Sequence, residues 1–174
     1  EGQAQDIGAI FLPGHKEQVH EIMETVKELR QICQKPRQQY DTWHGINISR
    51  RVSIYITMLF LKLGISANTA TTIFLCSGVS ASLLLVSESK LAVFAGAIML
   101  QLWYILDHVD GEIARYRRQA SATGVYFDQV CHYITPALVF FGLGLGLFFR
   151  LHSIFYVIAG FLCAFSFMLL SAIK

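Results

Sequence analysis

Three carboxylates and an imidazole, Asp107, Asp110, Asp128 and His132, cluster at the end of an apolar run. Acids are costly at membrane depth and usually mark a site when they occur there. Asp107, Asp110 and Ala114 fall at i, i+3 and i+7, which is one face of a helix. Gly124, Asp128 and His132 fall at i, i+4 and i+8, again one face. Two such helices packed together would aim Asp107, Asp110 and Asp128 at one point, with His132 one turn deeper. Three carboxylates and an imidazole can hold one or two divalent cations. Gly111 and Gly124 have no side chain to block a ligand or a neighbouring backbone. Arg115 adds a fixed cationic fork suited to phosphate oxygens.

This arrangement resembles the signature of the CDP-alcohol phosphotransferase (CDP-alcohol phosphatidyltransferase) family, Asp-x2-Asp-Gly-x2-Ala-Arg-x8-Gly-x3-Asp-x3-Asp. Asp107, Asp110, Gly111, Ala114, Arg115, Gly124 and Asp128 match it with the correct spacing. The last position departs, because His132 stands where the family has Asp. The resemblance covers roughly residues 48–174. A weaker match lies upstream. The family often has Thr-Pro-Asn-x2-Thr at its first span, and Ser66-Ala67-Asn68-Thr69-Ala70-Thr71 keeps Asn68 and Thr71. Asn68 could equally be an ordinary N-cap.

The resemblance implies transfer of a phosphoalcohol from a CDP-alcohol to an acceptor hydroxyl, with release of CMP. It implies that Asp107, Asp110 and Asp128 ligate one or two Mg²⁺ or Mn²⁺ ions. Gly111, Ala114, Arg115 and Gly124 would line the cytidine and diphosphate pocket, joined by Asn68 and Thr71. The family's last Asp serves as second-metal ligand and general base, and His132 could take either role, with Asp128 beside it in the catalytic set. A neutral imidazole, with an unperturbed pKa of about 6.5, is a competent base near neutral pH. As a ligand it suits Zn²⁺ or Mn²⁺ better than Mg²⁺, and it brings no negative charge. The implied donor is a lipid such as CDP-diacylglycerol, and the acceptor a small alcohol or phosphorylated alcohol. A homodimer is implied as well. His108 points to another helix face and reads as structural. Glu112 also leaves the acidic face and is expected to meet Arg115, Tyr116 or solvent.

Positioning these residues requires membrane helices. The chain is 54% apolar with 13 Phe and only 3 Pro, a composition of an all-α integral membrane bundle rather than a soluble globule. Its net charge of +2 is too small to suggest nucleic acid. The cysteines are scattered, without metal-type pairing, and a disulfide framework is not expected. Residues 1–15 read as a tail. Residues 16–34 carry apolar positions at helical spacing and read as an amphipathic helix without chemistry of its own. Tyr40 and Trp43 suit the membrane–water boundary. The run Val52 to Leu63 is too short to cross a core of about 30 Å, so 48–63 reads as an interfacial helix. Four spans are expected: about Asn68 to Val86; Leu91 to Leu106, continuing as helix through Arg115; Thr123 to Phe149; and Ser153 to Ile173. Gly142, Gly144 and Gly146 would allow close helix contact, and Pro136 could bend the third span.

The domain reading is a cytoplasmic N-terminal segment at 1–47 and a membrane domain at 48–174. The family typically has six spans, so with four here, a first residue Glu1 and a last residue Lys174 directly after an apolar run, a C-terminally truncated piece of a longer chain is expected. Arg50, Arg51, Lys62, Arg115, Arg117 and Arg118 fall on one side of four spans, and Lys90 and Arg150 on the other. The positive-inside rule then turns the N-terminus and the acidic site to the cytoplasm. Two other functions compete. A divalent-metal transporter would also place acids in the membrane, but Arg115 beside the path would repel the cargo. A catalytically silent scaffold would account for His132 and the absent helices.

Overall fold

Each apolar run folds into one helix, because within lipid only internal hydrogen bonding satisfies the backbone. The computed structural model describes residues 26–34, 49–119 and 121–173. Among the described residues six helices follow in order: α1 (Val26–Cys33), α2 (Arg50–Lys62), α3 (Ala67–Val86), α4 (Lys90–Tyr116), α5 (Ala122–Leu151) and α6 (Phe155–Ala172). The last four are long and apolar enough to cross a membrane. Their bounds lie within two residues of those expected, and α4 runs past the apolar stretch through Arg115 as anticipated. The chain is an all-α integral membrane bundle. The expected tail at 1–15, most of the helix at 16–34, and Tyr40 and Trp43 lie outside the described residues.

The bundle is built around α3, which packs against both α4 and α5, while α6 packs against α5. Helix α2 has 13 residues, about 20 Å of rise, and is too short to span. It lies against α4 and buries Arg50, Ser53, Ile54, Thr57 and Leu61. The opposite stripe, Val52, Tyr55, Leu59 and Leu63, is exposed. One polar-studded face packed on protein and one apolar face open to its surroundings suit a helix lying in the interface. The core joins α1 to α5 through Leu29, Ile54, Phe74, Leu106, Val109 and Cys131.

Small residues set the approach of the spans. A Cβ on Gly146 would strike the Leu85 carbonyl oxygen of α3. Gly142 faces the Ser82 carbonyl of the same helix, and Gly144 meets Gly160 of α6. Without a hydrophobic drive between helices in lipid, this close packing supplies much of the association. Gly146→Val should therefore destabilise the protein by about 1–3 kcal/mol through overpacking. Thermal unfolding of the detergent-solubilised chain measures it, and an unchanged midpoint would show that α3 and α5 do not rely on this contact.

Candidate active site

Three helix ends meet on one side of the bundle. Helix α3 begins there with the Ser66 side chain as cap, accepting from Thr69 N–H at 3.1 Å. Asn68 is therefore not the cap. Helix α4 ends there, and the chain turns at Arg118, which takes the left-handed conformation (φ 53°). Backbone bonds from Arg118 N–H to Arg115 O (3.2 Å) and from Gln119 N–H to Ala114 O (3.0 Å) close that end. Helix α5 then starts with Ser121, whose hydroxyl accepts from Gly124 N–H at 3.0 Å. The reversal returns the second half of the motif alongside the first. The positive ends of α3 and α5 thus face the side where α4 carries its acids, which favours an anion there.

The acids and the imidazole converge across α4 and α5. His132 Nε2 lies 2.7 Å from Asp107 Oδ1 and 3.4 Å from Asp128 Oδ1. Asp107, Asp128 and His132 each offer one donor atom, and these atoms lie within 4.8 Å of one another. A cation bound at about 2.1 Å keeps adjacent ligands about 3 Å apart and opposite ones about 4.2 Å apart, so the three donors could hold one ion after a small side-chain adjustment. The short His132–Asp107 contact is donated by the ring to the carboxylate, and ligation would require that proton to leave.

Asp110 departs from the expected convergence, since it does not belong to the three-donor group. It is nearly buried, at 7% exposure. Its Oδ2 accepts from Thr71 Oγ1 at 2.7 Å, and its Oδ1 accepts from the Gly111 N–H. Each carboxylate oxygen has two lone pairs, so these bonds leave capacity for a further ligand. Thr71 thereby joins the acidic group from α3. Asn68 lies nearby: a Cβ on Gly124 would stand 3.4 Å from Asn68 Oδ1. The aromatic floor is tight. Phe74 stacks on Trp103 at 5.1 Å between centroids, and both rings contact His132. Gly78 permits this, because a Cβ there would collide with Thr135 and come within 2.8 Å of Trp103.

Arg115 lies over Gly111. A Cβ on that glycine would come within 3.1 Å of Nη1 and 3.5 Å of Nη2. Its Nε–H donates to the Cys33 carbonyl at the end of α1, at 2.7 Å. Ala114 and Gly124 are half-buried. His108 packs against Tyr104, and its Nδ1 is 3.6 Å from Asp107 Oδ2, beyond hydrogen-bond reach.

Glu112 overturns expectation. It does not meet solvent but is wholly buried. It accepts from Ser53 Oγ (2.7 Å) and Thr57 Oγ1 (2.6 Å) of α2, and from Gln34 Nε2 (2.8 Å). The signal was present in α2, where Arg50, Ser53 and Thr57 form a polar face at i, i+3 and i+7 opposite an apolar stripe.

The geometry agrees with what comparison to known proteins finds. A sequence model for CDP-alcohol phosphatidyltransferase matches residues 64–173. Phosphatidylinositol phosphate synthases of Mycobacterium bovis (strain BCG / Pasteur 1173P2) and Mycobacterium tuberculosis (strain ATCC 25618 / H37Rv) are each 29% identical over 124 residues, 71% of this chain and 56% of theirs. The enzyme of that name from Mycobacterium marinum (strain ATCC BAA-535 / M) is 28% identical over 71% of this chain and 52% of its own. The chain spans about half the length of these curated relatives. Because the family match runs through all four spanning helices and over every residue from Asn68 to His132, the chain belongs to the CDP-alcohol phosphatidyltransferase family.

Proposed function

We propose that the protein transfers a phosphoalcohol, a phosphatidyl group in the leading case, from a CDP-alcohol to an acceptor hydroxyl in phospholipid or related phosphodiester synthesis. The observation that carries this reading is the meeting of Asp107, Asp128 and His132 within one ion's reach, beside Arg115 lying over Gly111. A divalent ion held by Asp107, Asp128 and His132, with Asp110 adjoining, would neutralise diphosphate charge and stabilise the leaving CMP. Mg²⁺ and Mn²⁺ are the proposed ions, and the nitrogen donor favours Mn²⁺ of the two. Arg115 binds and orients the diphosphate. Gly111, Ala114 and Gly124 leave room for the nucleotide, and Asn68 and Thr71 border it from α3. The acceptor oxygen forms a bond to the phosphorus that carries the alcohol, the bond from that phosphorus to CMP breaks, and the hydroxyl proton passes to His132 Nδ1, because Nε2 is the nitrogen that faces Asp107, Asp128 and the ion.

An apolar groove of about 380 Å³ between α4 and α5 suits an acyl chain of the donor. Ala97, Leu100, Val139 and Phe140 line it, and Trp103 joins it to the His132 side. The acceptor is a small alcohol or phosphorylated alcohol. The relatives' name makes an inositol phosphate the first to try. The charge asymmetry supports a membrane domain over 48–174 with its site and N-terminus turned to the cytoplasm. By likeness to the family the protein works as a homodimer.

The test is CMP release from CDP-diacylglycerol by the full chain in lipid nanodiscs, with Mn²⁺ or Mg²⁺ and a panel of acceptor alcohols. Acceptor-dependent release is expected. Ala114→Leu should weaken cytidine nucleotide binding about 10-fold or more, since a branched side chain fills the pocket at a cost of roughly 1–3 kcal/mol, while the protein stays folded. Normal nucleotide affinity in that variant would remove the pocket from this face, and a wild-type chain that releases no CMP with any acceptor would remove the transferase reading.

A further inference from the structure

The end of α1 is gripped by the motif from both sides. Arg115 Nε–H donates to the Cys33 carbonyl. One residue on, the Gln34 side chain donates to Glu112 Oε1 at 2.8 Å and to the Arg50 carbonyl at 2.7 Å. Arg50 Nη1 returns a bond to the Gln34 carbonyl at 2.9 Å. Glu112 and Arg115 are one helical turn apart on α4, so they hold adjacent peptide units of the same strap.

The carboxylate of Glu112 is the hub. It is wholly buried, and its three donors are uncharged: two hydroxyls of α2 and one amide of the strap. A buried carboxylate is costly unless hydrogen-bonded throughout. Ile54, Val109 and Ile113 belong to the apolar core shared by α2 and α4, so Glu112 is a polar hub set beside apolar packing. What Glu112 adds is a fixed place for Gln34. That in turn fixes the Cys33 carbonyl, which orients the guanidinium of Arg115. With Nε occupied by that carbonyl, the two terminal nitrogens lie over Gly111, free of the alternative rotamers a long side chain otherwise visits.

We propose that Gln34 and Glu112 are positioning residues that seat Arg115 for diphosphate recognition, which makes the α1 end a working part of the site. This rests on the reading that Arg115 faces the diphosphate. Neither residue touches substrate; both act through Arg115.

The test uses the full chain in nanodiscs and measures CDP affinity by thermal stabilisation, a readout that needs no turnover. Gln34→Ala should weaken CDP binding about 10-fold, the loss expected when a charge-assisted contact is misaligned. Stabilisation by Mn²⁺ alone should be unchanged, because the three donors lie on other faces. In an Arg115→Ala background the same substitution should change CDP affinity less than about twofold, since residues acting through one another are not additive. Glu112→Gln should stay near wild type: its carbonyl oxygen can accept from Ser53 and Gln34, and its amide can donate to the Thr57 hydroxyl. Glu112→Ala should reproduce the Gln34→Ala defect. An equal Gln34→Ala effect with and without Arg115, or a parallel loss of Mn²⁺ stabilisation, would show only general loosening and overturn the proposal. So would normal CDP affinity in Gln34→Ala. If Arg115→Ala alone binds CDP normally, the diphosphate role of Arg115 fails first and the clamp falls with it. Absence of CMP release with intact CDP binding would sink the transferase reading and leave the clamp measurable.

Discussion

Asp107→Asn and Asp128→Asn should each abolish stabilisation by Mn²⁺ and reduce CMP release by at least about 10³-fold, the scale of losing a charge-stabilising centre. Both substitutions are isosteric. Asn at 107 can still accept the hydrogen bond that His132 now gives to Asp107 at 2.7 Å, so the fold has no reason to open. What each removes is one negative charge from a group with three donor atoms within 4.8 Å among the described residues. In the wild-type chain, a cation at 100 times its Kd adds about 2.7 kcal/mol, or roughly 5–10 °C for a chain of this size. Asp110→Asn should behave differently. Its oxygens are already bonded to Thr71 and Gly111, and three donors remain without it, so part of the Mn²⁺ stabilisation should survive while turnover falls. Melting curves with and without Mn²⁺ decide this. Full stabilisation in both Asp107→Asn and Asp128→Asn would move the ion elsewhere.

That difference between Asp110 and the other acids marks the limit of reading faces from spacing. Periodicity places Asp107 and Asp110 on one side of α4, and Asp128 and His132 on one side of α5. It says nothing of how far one helix slides along the other. That register comes from contacts such as Gly78 beneath Thr135 and Trp103, and it pairs His132 with Asp107 and leaves Asp110 to Thr71 on α3. The spans themselves were legible because hydropathy and helix length are set by the bilayer. The partners of Glu112 were not. A glutamate one position beyond Gly111 looks solvated from its own helix, and only the packing of α2 shows that Ser53 and Thr57 take it up. The contacts at the end of α1 were hidden for the same reason. The helix contributes a backbone carbonyl and one amide at its end, and neither leaves a periodic trace.

His132→Ala should lower the rate about 10²–10⁴-fold, the usual loss for a missing general base, and should weaken Mn²⁺ stabilisation without abolishing it, since Asp107 and Asp128 remain. His132→Asp makes a sharper case. The family carries Asp here, so the variant should recover part of the rate. It also sets a third carboxylate next to Asp107 and Asp128, whose oxygens already lie 2.7 and 3.4 Å from the ring nitrogen. Like charges that close repel. Without metal the variant should therefore melt below wild type. With Mg²⁺ it should gain more stability than wild type does, because an all-oxygen set suits Mg²⁺ better than one containing imidazole. The ratio of Mn²⁺ to Mg²⁺ stabilisation should fall in His132→Asp relative to wild type, and that ratio separates a ligand from a bystander without any reference to turnover. If His132→Ala keeps full activity and the ratio does not move, His132 is a packing residue against Phe74 and Trp103. If wild type shows no turnover while His132→Asp does, the present residue has silenced an ancestral site, and the scaffold reading holds.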